Sequence, residues 1–265
     1  GHLRPKDPLN ITVIPTWVDA ELIRPMNKAD NPLVRRHGLE GRFVVMYSGN
    51  FGATHDLTSL IDAAELLLDC PDVFFVLIGG GTRVREVTAS VAQRKLRNLA
   101  LLPFQSSEHL PSWLAAADCA VVCLDEAFVG VSMPSKTYFA MAAGSALVAV
   151  SPPGTDLAAV VQATGCGIHV PPRNAKALAD AIRRLCNDAS YLEQCKVNSR
   201  RAAVREFDRA RLVQRFADHL QVRILDHYGQ TELGMVVCNH HALQHAVTPG
   251  SAGFPVTGHR VVVLD

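Results

Sequence analysis

Three stretches of the sequence combine residue types that could hold an anion. In the first, Tyr47-Ser-Gly-Asn-Phe-Gly52, glycines 49 and 52 precede a segment of helical spacing that starts near Asp56. Without a Cβ, glycine lets backbone N–H groups approach a phosphate at a helix N-terminus. His55 in this stretch is either a phosphate donor or a first-turn surface residue. The second, Gly79-Gly-Gly81, allows close approach at Gly80 for the same reason. The third, Val131-Ser-Met-Pro-Ser-Lys136, opens a helix carrying Met141-Ala-Ala-Gly144. Proline near a helix start, the Ser135 hydroxyl and the Lys136 ammonium together favour an anion. A cation there opposes the helix dipole unless an anion offsets it. Taken singly, each glycine cluster reads first as a structural turn. Gly-x-Gly-x-x-Gly does not occur at 49–52, and no phosphate loop ending in Gly-Lys-Ser/Thr occurs, so a P-loop nucleotidase is disfavoured.

The elements that must position these turns are legible from apolar runs. Phe43–Tyr47, Val73–Ile78, Leu99–Leu102, Cys119–Leu124 and Ala146–Val150 are continuous, not alternating. Such strands are buried on both faces, as in a parallel sheet covered by helices. Leu57–Leu68, Arg83–Leu96, Glu108–Ala117 and Lys136–Ala143 lie between them with helical apolar spacing. The alternation predicts an α/β, Rossmann-like, doubly wound parallel sheet, whose ligands sit outside the strand carboxyl ends. After Pro171-Pro172 three helices are expected, at Ala175–Asn187, Ser190–Glu206 and Asp208–Gln221. Asn174 and Asp208 are their candidate N-caps, and Asp188-Ala-Ser190 a turn. Residues 1–40 read as a lead-in strand, Ile11–Ile14, and a linker with Pro25 and Pro32.

Composition narrows the function classes. Of 265 residues, 48% are apolar and 19% charged, enough apolar surface to exclude a disordered chain. Twenty-six Lys and Arg against 25 Asp and Glu give a net charge of +1, so nothing draws the chain to nucleic acid. Phe139–Val150 is too short to span a bilayer, and no signal peptide is visible at the start. Seven scattered cysteines without a Cys-x-x-Cys pair read as free thiols in a reducing cytoplasm. Five of eleven histidines fall within residues 222–265, which marks that tail as different from the rest. His240 and His241 are adjacent, and His241 and His245 lack a zincin glutamate, so surface histidines are expected and no metal site.

In this order the turns resemble the carboxy-terminal half of a group 1 glycosyltransferase of the GT-B type, over about residues 9–221. Ile14-Pro-Thr-Trp-Val-Asp19 with Pro25 is similar to its inter-domain signature, and Ser48–Gly52 to its glycine loop. Met133-Pro-Ser-Lys-Thr-Tyr138 with Ala142-Ala-Gly144 resembles the Pro-Ser-Lys branch of colanic-acid and O-antigen sugar transferases. The resemblance implies that Gly49, Asn50 and Gly52 line the donor diphosphate, with Asn50 and His55 where many relatives carry Arg and Lys. Pro103 and Phe104 would lie beside the nucleobase, and Ser135 and Lys136 at the diphosphate. Many relatives also use two glutamates spaced Glu-x7-Glu; those positions are Val131 and Phe139 here, and Glu126 is not a clean substitute. Asp156 is either near the donor or an N-cap.

The tail, residues 222–265, resembles a fragment of an AMP-forming acyl-CoA synthetase. Tyr228-Gly-Gln-Thr-Glu232, Gly250–Pro255 and Gly258–Asp265 carry that likeness, which implies adenylate contacts at Tyr228, Thr231 and Glu232. The phosphate loop and lid of a synthetase are absent, so adenylation is not expected. The leading reading is therefore a nucleotide-sugar domain, 1–221, whose parallel sheet is followed by C-terminal helices, and then a short β-rich or irregular tail, 222–265. Its substrate would be a UDP- or GDP-sugar, and its acceptor a glycan or lipid-linked acceptor bound through a missing N-terminal domain. This expectation includes a retaining hexosyl transfer, no permanent cofactor, and weak donor binding with negligible transfer by the chain alone. The place is the cytoplasm or the inner face of the membrane. A non-catalytic interaction module or fusion product, with a homodimer covering the open cleft, is the alternative; an adenylate-forming ligase is a third.

Overall fold

The computed structural model describes residues 15–52, 56–126, 129, 133–220, 227–230, 234–238 and 254–255. The chain divides into two compact units, Gly1–Leu212 and Val213–Asp265. The first is a six-stranded, wholly parallel sheet of β1 (Phe43–Asn50), β2 (Val73–Gly80), β3 (Leu99–Leu102), β4 (Cys119–Cys123), β5 (Ala146–Val150) and β6 (Gly167–Val170). Their order is β3-β2-β1-β4-β5-β6, so the sheet reverses direction of growth between β1 and β4. The helices are α1 (Pro32–Arg36), α2 (Leu57–Leu66), α3 (Val84–Gln93), α4 (Leu110–Ala116), α5 (Lys136–Ala142), α6 (Asp156–Thr164), α7 (Ala175–Asn187), α8 (Ala189–Glu206) and α9 (Arg209–Leu220). The α/β doubly wound architecture expected from the continuous apolar runs is the one observed.

Alternate residues of each strand enter different layers, as the two-residue period of a strand requires. Val45 and Tyr47 join Leu57, Leu60 and Ile182 on one face, while Val44 and Met46 join Leu33, Leu39 and Trp113 on the other. In β5, Val148 faces the first layer, and Leu147 and Ala149 face Met141 and Leu157. Burial on both faces is why these strands contain no alternating polar residues.

Several boundaries differ from the sequence reading. β1 and β2 run on through their glycines, because Gly49 pairs with Gly79 and Asn50 with Gly80 in register. A Cβ on Gly79 would stand 1.9 Å from the Gly49 carbonyl oxygen, so this pairing needs bare backbone there. The turn expected at Asp188-Ala-Ser190 shrinks to Asp188 alone, which caps α8 by accepting from the Tyr191 N–H at 2.9 Å. Thr155, not Asp156, caps α6, accepting from the Ala158 N–H at 3.2 Å. α1, α6 and β6 were not distinguishable by pattern: α1 is one turn, and β6 is a half-exposed edge strand containing Gly167 and His169. Asn174 and Asp208 accept backbone N–H groups as expected of N-caps. The expected strand Ile11–Ile14 lies outside the described residues. Among the described residues six cysteines are free thiols, four of them buried.

The second unit holds an antiparallel sheet of β7 (His227–Gln230), β8 (Gly234–Cys238) and β9 (Phe254–Pro255), with a bulge at Tyr228/Gly229. Thr231, Glu232, His240, His241, His245 and His259 lie outside the described residues.

Asp118 clamps the amino-terminal edge of the reversal. Its carboxylate accepts from the Val44 N–H at 2.8 Å, and its own N–H donates to the Val44 carbonyl at 3.0 Å. Its carbonyl accepts from Ala146 N–H, so one residue ties β1, β4 and β5. Lys28 and Lys196 complete the charge pairing. Asp118→Asn should therefore destabilise folding by about 1.5–3 kcal/mol, the worth of a charge-assisted bond to a buried donor. Urea denaturation checks it against Asp180→Asn, whose exposed pairs with Lys176 and Arg183 are expected to contribute nothing measurable.

Candidate functional site

In an open parallel sheet the reversal of strand order leaves a crevice at the strand carboxyl ends. Here β1 and β4 pair only at Val45–Cys119 and Met46–Ala120, whereas β1 and β2 pair along eight positions. Past Met46 the two strands part. Into the gap come Tyr47 and Gly49 from β1, Cys123 from β4, and Lys136 from the first turn of α5.

Lys136 and Gly49, far apart in sequence, meet here. A Cβ added at Gly49, whose φ is +151°, would lie 2.7 Å from Lys136 Nζ. Glycine thus makes room for the ammonium and supplies a backbone conformation that other residues rarely adopt. The ammonium sits 4.5 Å from the Tyr47 ring centroid and donates to the Tyr47 hydroxyl at 3.4 Å. Among the described residues no carboxylate lies within 4.0 Å of it. Burial holds its pKa below the ordinary lysine range, and the nearby Cys123 opposes that shift. The Cys123 thiol is itself pushed up to about 12 by burial, with Lys136 pulling it down, so it stays protonated near neutrality. An ammonium half-withdrawn from water without a counter-charge is arranged to receive an anion.

The other expected residues divide. Asn50 accepts from the Tyr47 hydroxyl through its carbonyl at 2.9 Å. Its side-chain amide lies against Gly52 and Gly81, so these turns form one surface with Gly49. A Cβ on Gly80 would stand 2.9 Å from the Phe104 ring, which is 64% exposed above the glycine. The structure therefore brings Gly80 and Phe104 together, and Pro103 lies exposed beside them after β3. Ser135 is the exposed N-cap residue of α5 and makes no side-chain capping bond. Asp156 is exposed in the first turn of α6, where its charge helps raise the Tyr138 pKa after burial has done so. His55 and Val131 lie outside the described residues, and Phe139 is half-buried on α5.

Two groups were not anticipated. Tyr47 is fully buried yet makes both polar contacts described above; a tyrosine inside a continuous apolar strand was the available signal. Asp56 caps α2 through the Ser59 N–H at 3.1 Å and accepts from the Arg173 N–H at 2.7 Å. It thereby ties the turn after β1 to the turn after β6. A cleft of about 400 Å³ lies beside it, lined by Asp56, Thr58, Ser59, Arg83, Asp125 and Arg173 among others.

The family model of glycosyl transferases group 1 matches residues 32–202. The chain is 30% identical over 183 residues to the probable glycosyltransferase WbjE of Pseudomonas aeruginosa, covering 68% of this chain and 45% of that protein. It is 27% identical over 215 residues to the putative colanic acid biosynthesis glycosyl transferase WcaI of Escherichia coli K12, covering 80% and 52%. It thus spans about half the length of these relatives. Among solved structures, Anabaena Alr3699/HepE in complex with UDP and glucose superposes with TM-score 0.66 at 21% identity, covering 79% of this chain and 56% of that one.

Lys136 has a measurable cost. A lysine whose folded-state pKa lies below its unfolded value opposes folding while charged. That penalty is complete below the lowered value and vanishes as pH rises to the unfolded one, near 10.4. Lys136→Met should therefore raise the melting temperature at pH 7 by about 2–4 °C, the shift that ~1 kcal/mol produces in a domain of this size. The gain should shrink as pH rises toward the unfolded value near 10.4, and calorimetric scans from pH 7 to that value check it.

Proposed function

The chain belongs to the group 1 glycosyl transferases, and from that premise we propose that residues 1–221 are the donor-binding half of a retaining GT-B enzyme. In this reading residues 222–265 form a separate segment. The observation that carries the proposal is the Lys136 ammonium, which has no carboxylate partner among the described residues and stands beside the Gly49 turn at the carboxyl ends of β1 and β4. A nucleoside diphosphate sugar supplies the missing anion. Its diphosphate would lie between the Gly49–Gly52 turn and Lys136, with Ser135 offering a hydroxyl at the same end of α5. Phe104, exposed above Gly80, offers an apolar face to the base. HepE, similar in fold, is a complex with UDP and glucose, which supports a nucleoside diphosphate sugar as the donor class.

Transfer of the hexosyl group to a glycan or lipid-linked acceptor places negative charge on the leaving diphosphate. Lys136 would stabilise that charge as it develops, and a fixed cation in a partly dry crevice is effective because it needs no reorganisation. The reacting groups must also be held in near-attack geometry. Relatives of about twice this length suggest that the acceptor side comes from a second, amino-terminal domain. Donor binding without appreciable transfer is thus the activity proposed for these residues alone.

Titration calorimetry with UDP, GDP and ADP, and with their glucose conjugates, tests the reading. UDP and UDP-glucose should bind, and Lys136→Ala should weaken both by roughly 10- to 100-fold, the worth of a charge-assisted phosphate contact. Heat with none of the nucleotides would sink the reading.

A further inference from the structure

We propose that Tyr47 is a positioning residue for this site: one buried side chain holds the Lys136 ammonium over its ring and ties it to the glycine turn without neutralising its charge. The inference rests on the donor-site reading above, but its observations are independent of any nucleotide.

Three contacts converge on the side chain. The Tyr47 hydroxyl donates to the Asn50 carbonyl at 2.9 Å, which fixes the end of β1 where the glycine turn begins. The same oxygen accepts from Lys136 Nζ at 3.4 Å, using a lone pair that the first bond leaves available. The ring lies beneath the ammonium at 4.5 Å, within the range of a cation–π attraction. The ring also packs with Phe51, centroids 6.0 Å apart, and Tyr47 is 0% exposed, so it has little freedom to turn away.

What Tyr47 is not carries as much of the argument. An Asp or Glu here would hold the lysine more strongly, but would cancel the charge an incoming diphosphate needs. The titratable groups facing Lys136 among the described residues are Tyr47 on β1 and Cys123 on β4. Asp56 on the α2 side acts on Cys123. Burial pushes the phenol up from its ordinary value, and the thiol as well, so both remain neutral across the physiological range. Among the described residues that face it, the ammonium therefore meets neutral groups, which orient it without cancelling its charge. Gly49 completes the device, because any Cβ there would displace the ammonium from this seat.

The test is Tyr47→Phe, which keeps the ring and removes one oxygen, alone and combined with Lys136→Met. UDP binding is read by NMR titration, which reports weak affinities. Tyr47→Phe should weaken UDP about three- to tenfold, the usual net worth of a hydrogen bond. In the Lys136→Met background the same change should cost clearly less, because only the hold on the Asn50 carbonyl is then left to lose. Equal losses in both backgrounds would overturn the proposal. A second measurement needs no nucleotide: the titration midpoint of Lys136 in ¹³C-lysine-labelled protein, its signal assigned by loss in Lys136→Met. That midpoint should fall in Tyr47→Phe; an unmoved midpoint refutes the hold on Lys136. Absence of UDP binding in the wild-type chain would remove the donor reading, while the midpoint still judges Tyr47.

Discussion

The pairing of β1 with β4 over only two residues is the constraint on which the rest of the site depends. Chain growth reverses there, so the strands belong to halves of the sheet that wind in opposite directions and diverge beyond Met46. Divergence leaves the last half of β1, Tyr47–Asn50, without a β4 partner, while β2 continues to pair it through Asn50. The result is a rigid wall with one open flank. Asp118 anchors the other end of the same junction, with its carboxylate on the Val44 N–H and its backbone shared between β1 and β5. The junction is thus clamped at its base by Asp118 and open beyond Met46.

The lead-in segment and the carboxy-terminal helices brace this arrangement from behind. Arg200 on α8 donates to the carbonyls of Ile23 and Ala142, both at 2.9 Å, and so closes the end of α5 onto the lead-in. Pro25 fills the space above Gly144, whose φ of +76° ends α5 and whose missing Cβ admits the ring. Because α5 carries Lys136 at its other end, contacts far from the crevice decide where the ammonium stands. Val18, joined to Phe207 and Arg209 by backbone hydrogen bonds, ties the lead-in to the same helical layer. Lys136 thus occupies a costly place that the surrounding structure over-determines, as functional groups commonly do.

Particular residues show how far the sequence could be read. Phe43–Tyr47, Ala146–Val150 and Ala175–Asn187 were legible because their environments are uniform: buried on both faces, or amphipathic with a capping Asn174. β6 was not, since a four-residue edge strand holding Gly167 and His169 has neither a continuous apolar run nor alternation. The glycines at 49, 79 and 80 suggested loops, yet they lie in paired strands, because the close approach of Gly79 to the Gly49 carbonyl is a property of the register. Asp156 looked like a cap by composition, whereas Thr155 one residue earlier has the extended backbone that a cap requires.

By itself the sequence determined the layer architecture, the strands β1–β5 with most of the helices between and after them, and the stretches able to approach an anion. Those properties follow from local patterning and from the steric freedom of glycine, which neighbouring residues suffice to set. Only the tertiary structure decided which of those stretches form one site. It joined Gly49 to Lys136 and Gly80 to Phe104. It also gave Tyr47 its place, because a tyrosine in an apolar strand acquires a role only from what stands opposite its hydroxyl. Lys136 and Asn50 stand there because the reversal between β1 and β4 leaves a gap, and a gap between strands is a long-range property that no stretch of sequence contains.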